Sequence, residues 1–290
     1  MSVISFESKE LHFHYAFTHE INPQFVFHCH PMFEIYYFLS GQTCYLVEGK
    51  KYQLTPHSLL LLPPNCFHGA HVDGKEEYGR FSLHFSPNIL PVENRHLLLS
   101  TFHQGKPELD IFYEDLEKYD LFPFIQNVID SAHMPEELLD TSLSIAIQAL
   151  LARILFVSHC TKISHPQERL SDSLSELIQY LNRSLTENIT LDALSAKFFI
   201  SKHHMNKLFR KATGTTIGEY VIYKRVTLAQ NLIMEGASTA QAGLSAGFGD
   251  YSSFYRAYRR ITGHSPRADK PEAEKKEPRL PQGPELYPNL

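Results

Sequence analysis

The sequence predicts a multidomain chain: an all-β N-terminal barrel or sandwich, a helical connector and an all-α C-terminal part. Three observations carry this. Residues 11 to 85 hold short β-branched and aromatic runs between Gly, Pro and Asn turns. From about Leu121 the apolar residues recur at helical spacing. Beyond residue 170, short segments with helix-start signals follow one another. The 290 residues, 20% of them charged, with 14 Gly and 17 Pro, form an ordinary globular composition that excludes disordered, collagen-like and disulfide-scaffold classes. The longest apolar stretch, Leu143 to Val157, is interrupted by Gln148 and Arg153 and falls short of the roughly 18 residues of a membrane span. The N-terminus lacks the features of a signal peptide, and Cys29, Cys44, Cys66 and Cys160 form no Cys-x-x-Cys pair, so a cytoplasmic protein with reduced thiols is expected.

The expected strands are Leu11–Phe17, Phe33–Leu39, Thr43–Val47, Tyr52–Leu54, Ser58–Leu62 and Arg80–Phe85. Leu143, Ile147, Leu150, Leu151, Ile154 and Leu155 mark the connector helix, and Ser164–Arg169, with His165 before Pro166, marks a linker. Capping boxes begin helices at Ser173 to Glu176, Thr216 to Glu219 and Ser238 to Gln241. The Pro-rich charged tail from Lys270 has little to bury and is expected to be disordered. The expected division is therefore 1–105, 106–163 for the connector, 164–170 for the linker, 171–268 for the helical domain and 269–290 for the tail.

Charge separates the halves. Residues 185 to 268 carry 11 Lys/Arg against five Asp/Glu, a surplus of +6 against −11 elsewhere, whereas 11 of 17 histidines precede residue 110. Within the basic part, Thr190 to Gly214 reads as a helix, a tight turn and a second helix capped by Ser201. Met205, Leu208 and Phe209 form its inward stripe, which leaves Lys202, His203, Asn206, Lys207 and Arg210 outward as donors for bases and phosphates. About 47 residues later the plan returns: Asp250 caps a helix with Phe254, Ala257, Tyr258 and Ile261 inward, and with Tyr251, Ser252, Arg256, Arg259 and Arg260 outward. A helix of about 18 residues separates the two helix-turn-helix units, or roughly 27 Å, compatible with two major-groove entries about one DNA turn apart.

The run Ser201 to Gly214, with Tyr220, Arg225, Ala229, Leu232, Gly247, Phe248, Tyr251, Phe254 and Gly263 to Pro266, resembles the AraC/XylS family of transcription regulators. The resemblance spans about 95 residues and implies base-facing positions at His203, Asn206 and Lys207 in the first unit, and at Tyr251, Ser252 and Arg256 in the second. Gly243 stands inside the second unit's supporting helix, where glycine costs about 1 kcal/mol relative to alanine, so that unit is expected to be looser.

In the N-terminal part, His28, His30 and Glu34 share parity with Tyr36 and Phe38, so an extended chain puts them on one side of a sheet. Together with Pro63 and His68, though with Asn65 and Val72 off pattern, they resemble the cupin barrel that many such regulators carry as a ligand-binding domain. In metal cupins three histidines and a glutamate hold a divalent ion, which here implies His28, His30, Glu34 and His68. Two other readings stay open: a metal-free organic effector contacting His28, His30, Glu34, Tyr36 and His68, and a purely structural role. Tyr36, Tyr45 and Tyr52 suit a carbohydrate or a small aromatic, whereas His12, His14, His57, His71 and His84 read as ordinary. No nucleophilic triad, phosphate loop or dinucleotide fingerprint occurs.

The expected protein is a non-enzymatic, effector-controlled regulator of double-stranded DNA, with a sugar as effector, no resident cofactor, Leu138 to Val157 as either a homodimer contact or core packing within the subunit, and RNA polymerase as a partner. The alternative is a metal-dependent cupin enzyme fused to a DNA-binding module.

Overall fold

The computed structural model describes residues 2–8, 10–19, 28–48, 50–72, 76–102, 111–114, 116–160 and 172–270. The expected linker and the tail beyond Lys270 lie outside them. The N-terminal part is built from β1 (Ser2–Glu7), β2 (Leu11–Thr18), β3 (Phe33–Ser40), β4 (Thr43–Val47), β5 (Lys50–Gln53), β6 (Leu59–Leu62), β7 (His68–Val72), β8 (Tyr78–Phe85) and β9 (Phe112–Tyr113). They form a six-stranded sheet, β1-β2-β8-β3-β6-β9, and a three-stranded sheet, β5-β4-β7. All the pairings are antiparallel.

β3 is buried at six successive positions, Phe33 to Phe38, because the large sheet is covered on both faces. Phe33, Ile35 and Tyr37 pack into a cluster with the helices, whereas Tyr36 and Phe38 pack toward the small sheet with Tyr45, Tyr52, Leu60 and Leu62. The expected parity of β3 therefore holds, but the strand starts at Phe33; His28 and His30 come from the segment before it, tied by a lone bridge between His28 and His68. β1, β7 and β9 were not legible. β7 (His68–Val72) contains a glycine and two histidines, and its extended form is imposed by pairing with β4.

The helices α1 (Val92–Leu98), α2 (Phe122–Ser131) and α3 (Glu136–Cys160) cover the outer face of the large sheet. α3 has the length and mean hydropathy, 1.7, to cross a membrane, but Leu143, Ile147, Leu150, Leu151, Ile154 and Val157 pack into the sheet's core. Arg153 on the same helix donates to the Tyr119 carbonyl at 3.1 Å. Within the stretch Leu138 to Val157, these apolar residues are core packing, and the outer face of α3 exposes Leu138, Ile145 and Phe156.

The C-terminal part comprises α4 (Asp172–Arg183), α5 (Leu191–Phe198), α6 (Lys202–Thr213), α7 (Ile217–Met234), α8 (Thr239–Ser245) and α9 (Tyr251–Thr262). Ser201, Thr216, Ser238 and Asp250 each accept the backbone N–H three residues on, as their sequences predict. Ser173 is different: α4 already begins at Asp172, so Ser173 lies inside the helix and does not cap it. α7 is the spine. Its first half, with Ile217, Tyr220 and Val221, joins the core of α4, α5 and α6, and its second half, with Val226, Ala229 and Ile233, joins that of α8 and α9. Arg225 binds the loop after α4 through the Leu185 carbonyl at 2.8 Å and the Glu187 carbonyl at 2.6 Å, which gives this motif residue a structural task.

Gly243 corrects the expectation of a loose second unit. A Cβ there would lie 2.8 Å from the Phe254 ring, so the glycine marks close packing of α8 on α9. Gly247 does the same for the next turn: at φ +93 its added Cβ would meet the Thr186 backbone at 2.8 Å.

Candidate functional site

Two sites emerge, one on the helical part and one inside the β part. On α6, buried Met205 and Phe209 turn Lys202, His203, Lys207 and Arg210 to solvent; on α9, buried Phe254 and Tyr258 do the same for Tyr251, Ser252, Arg256, Arg259 and Arg260. These residues fall on the outward faces expected of them, but they are not equivalent. Lys202 pairs with Asp192 at the start of α5, and Arg260 forms a two-point bridge to Glu219 of α7 at 3.1 and 3.0 Å. Asn206 is half-buried, and its Oδ1 accepts the Ile217 N–H at 3.2 Å, so it also caps α7. Tyr251 contacts Thr239 Oγ1 at 3.3 Å, joining α9 to α8. Beside α6, His203, Asn206, Lys207, Arg210, Lys211 and Thr216 line a concave surface of about 540 Å³.

The second site lies between the sheets. Glu34, 2% exposed, sends Oε2 toward three imidazoles: His68 Nε2 at 2.9 Å, His30 Nε2 at 3.2 Å and His84 Nε2 at 3.4 Å. Burial alone would raise its pKa, but His84, His68 and the contacts from His30 and His68 outweigh that and hold the carboxyl well below the usual range. His30 is pushed down to about 4, chiefly by burial, and is neutral at pH 7. Its Nδ1–H donates to the Met32 carbonyl at 3.0 Å, and the His68 Nδ1–H donates to the Cys66 carbonyl at 2.8 Å. The His30 Nε2 lies 3.2 Å from Glu34 Oε2. The His68 Nε2 is buried without a directed hydrogen bond despite its closeness to the carboxylate.

Next to this cluster is a cavity of about 220 Å³ lined by His28, Glu34, Tyr36, Tyr45, Ala70, Val72, Tyr78, Arg80, Ser82 and His84. Of the expected effector residues, His28, Glu34 and Tyr36 line it, whereas His30 and His68 stand against Glu34. Tyr52 does not belong; it packs on Phe112 in the inter-sheet core. Burial raises the phenols of Tyr36, Tyr45 and Tyr78, so they are neutral hydroxyls. Arg80 lies over the Tyr78 ring at 4.7 Å, with Nη1 buried and unpartnered.

His84 is the main omission of the sequence reading, which took it for an ordinary strand residue. Register explains its place: β3 and β8 pair Glu34 with His84, Tyr36 with Ser82 and Phe38 with Arg80, so every second residue of β8 faces the cavity. His12 stacks on His84 at 4.2 Å and is likewise pushed down to about 4, chiefly by burial. Ligand atoms of His28, His30, Glu34 and His84 lie within 4.8 Å of one another. Imidazole nitrogens beside a carboxylate fit a divalent transition ion, and His84 completes that group in place of His68, which the resemblance implied and which instead lies against Glu34.

A β-domain enclosing a polar cavity, joined to two helix-turn-helix units with outward cations, defines a DNA-binding regulator with a ligand-binding domain. Residues 11–155 match the AraC-like ligand binding domain and residues 194–270 the Helix-turn-helix domain. The chain belongs to the AraC family of transcriptional regulators. The probable transcriptional regulator LumQ of Photobacterium leiognathi is 33% identical over 135 residues, which cover 46% of this chain and 52% of LumQ. The uncharacterized HTH-type transcriptional regulator YbfI of Bacillus subtilis is 24% identical over 236 residues, covering 80% of this chain and 82% of YbfI. The structure of ToxT from Vibrio cholerae aligns with 92% of this chain and 94% of its own at 12% identity, with a TM-score of 0.37.

Proposed function

We propose that the protein is a cytoplasmic, homodimeric, non-enzymatic regulator that reads double-stranded DNA and acts with RNA polymerase under control of a carbohydrate bound in the N-terminal cavity. The cavity carries this reading. Its volume of about 220 Å³ lies below the roughly 300–1,000 Å³ of drug-sized sites, and Tyr36, Tyr45, Ser82, Glu34 and Arg80 offer hydroxyl, carboxylate and guanidinium partners on flat aromatic walls. That chemistry suits a compact polyol. His203, Asn206 and Lys207 on α6, and Tyr251, Ser252 and Arg256 on α9, read bases; Lys202, Arg210, Arg259 and Arg260 hold phosphates. The outer face of α3, with Leu138, Ile145 and Phe156, meets its copy in the dimer.

A second reading draws support from the converging imidazoles: a divalent ion held by His28, His30, Glu34 and His84, with His68 against the carboxylate. Such an ion would supply Lewis-acid binding of an effector oxygen, or, in the enzymatic alternative, of a substrate oxygen. A thermal-shift screen of the full chain against sugars and small aromatics, with chelator or added Zn(II), tests both, because a ligand of the folded state raises the midpoint by mass action. A sugar-dependent rise that survives chelator supports the carbohydrate sensor. No rise with any sugar overturns it, and a rise confined to Zn(II) moves the assignment to the ion.

A further inference from the structure

We infer that the ligand of the N-terminal cavity is an acidic carbohydrate, a compact sugar acid whose carboxylate is held by Arg80 and whose hydroxyls reach Glu34. This deepens the carbohydrate reading and rests on the cavity being the effector site.

Glu34 and Arg80 both line the cavity, and the fold treats the two charges differently. Glu34 is met by the imidazoles of His30, His68 and His84, so its partners come from the protein itself. Arg80 is half-buried and has a ring for company: its guanidinium carbon sits 4.7 Å from the centre of the Tyr78 ring, and its Nη1 is buried without an acceptor. Among the described residues, Glu34 is the one carboxylate that lines the cavity, and register keeps it away from Arg80. β3 and β8 pair Glu34 with His84 and Phe38 with Arg80, so the two groups stand four residues apart along the strands, about 13 Å between α-carbons. A buried guanidinium N–H without an acceptor costs free energy that a bound acceptor recovers. A carboxylate is the best match, because its two oxygens fit the planar fork.

The placement is rigid. β8 lies between β2 and β3, where Arg80 is paired with Ala16 on one side and with Phe38 on the other. Its charge is felt across the cavity: burial raises the phenols of Tyr36, Tyr45 and Tyr78, and Arg80 pulls against that rise in all three. Tyr36 and Tyr78 share a hydroxyl–hydroxyl hydrogen bond, and the Tyr36 and Tyr45 rings lie 4.7 Å apart. The cavity thus has a guanidinium with phenols toward one end, the Ser82 hydroxyl between, and the acceptor Glu34 with His84 toward the other. An acid bearing hydroxyls satisfies both ends: its carboxylate takes the Arg80 donors, and a hydroxyl donates to Glu34. A neutral sugar leaves Arg80 without a counter-charge. A sugar phosphate brings a second negative charge into a cavity that already holds the Glu34 carboxylate.

The experiment is a thermal-shift panel on the full-length protein with chelator present, so that no carboxylate acts through a bound ion. It compares glucuronate, galacturonate, gluconate and galactonate with glucose, galactose, glucitol, glucose-6-phosphate and hydroxyl-free benzoate, in wild type and in Arg80→Met. At least one sugar acid should raise the wild-type midpoint by about 3 °C or more at millimolar concentration. Calorimetric titration should find its neutral counterpart weaker by about tenfold or more, the worth of a charge-assisted pair. Arg80→Met should weaken the acid by a similar factor, with its own ligand-free midpoint near that of wild type, because Nη1 has no acceptor to lose. Arg80→Lys, which keeps the charge without the fork, repeats this arm should Arg80→Met unfold, and should weaken the acid severalfold. The inference is overturned if no sugar acid raises the midpoint, if the acid response is retained in Arg80→Met, or if the phosphate ester exceeds every acid. A neutral sugar that binds as tightly as its acid in both proteins also overturns it, while leaving the carbohydrate reading intact. Benzoate matching the best sugar acid, with loss in Arg80→Met, overturns the carbohydrate reading and not the carboxylate at Arg80.

Discussion

The two helix-turn-helix units obey the same local rules in different surroundings. Ser201 and Asp250 cap the outer helices, and Gly214 and Gly263 end them at φ +76 and +80. Thr213 and Thr262 each donate to the carbonyl four residues back at 2.8 Å. The first unit, however, shares its core with Cys29 and Phe67 of the β-domain, whereas the second closes on itself: Tyr258 donates to Asp269, and Gln230 donates to the same carboxylate at 3.0 Å. A shared signature fixes what each helix is. Neighbours decide which unit packs against the β-domain, and here that is the first.

The largest expected effects come from the cores and from the buried ion pair between Glu48, in the turn after β4, and Lys224 of α7. Phe254→Ala should cost about 3–5 kcal/mol and abolish hydrogen-exchange protection in α8 and α9 while sparing α4 to α6. Equal loss in both units would break the contrast drawn above. Lys224→Met should cost about 3–5 kcal/mol in urea unfolding because it leaves Glu48 buried without its cation, and the double variant with Glu48→Gln should recover most of this.

Gly243→Ala sharpens the comparison further. Helix propensity alone would gain about 1 kcal/mol, but the new methyl meets the Phe254 ring, so a loss of about 1–3 kcal/mol is expected in thermal or urea unfolding. Lys207→Ala and Arg256→Ala, one in each unit, should each weaken operator binding by about 1–3 kcal/mol; unchanged affinity and footprint would remove them from the base-reading set. Arg260→Ala should cost under about 1 kcal/mol of stability, since its bridge to Glu219 is solvent-exposed.

The smallest effect concerns pH. Burial would raise Glu48, but Lys224 and the hydrogen bonds around it hold its carboxyl below the ordinary 4.5; burial would lower Lys224, but Glu48 and Cys66 hold it above the ordinary 10.5. The carboxylate's contribution is present above 4.5 and is lost as pH falls through its depressed value. The ammonium's is present below 10.5 and is lost as pH rises through its elevated value. The pair should therefore contribute a flat stability between these limits, checked by comparing urea midpoints of wild type and the Glu48→Gln, Lys224→Met double variant across that range.

The helical half was nearly all legible because caps, glycine stops and helical spacing act over a few residues: Thr216, Ser238, Asp250 and Gly214 sit where the chain itself puts them. The β half was legible as parity, which sorted Tyr36 and Phe38 from Ile35 and Tyr37. The place of His84 was not, because the strand that carries it faces Glu34 only through pairing across about fifty residues. Gly243 was misread for the same reason, since its meaning depends on Phe254 in another helix.

By itself, then, the sequence determined the family, the two-part architecture, the caps and the outward faces of the two reader helices, all set by near neighbours along the chain. Only the tertiary structure decided that His84 joins the cavity, that the α3 stripe is spent on the core, and that Glu48 meets Lys224. Those contacts join residues far apart in sequence, where burial and register act and local periodicity carries no signal.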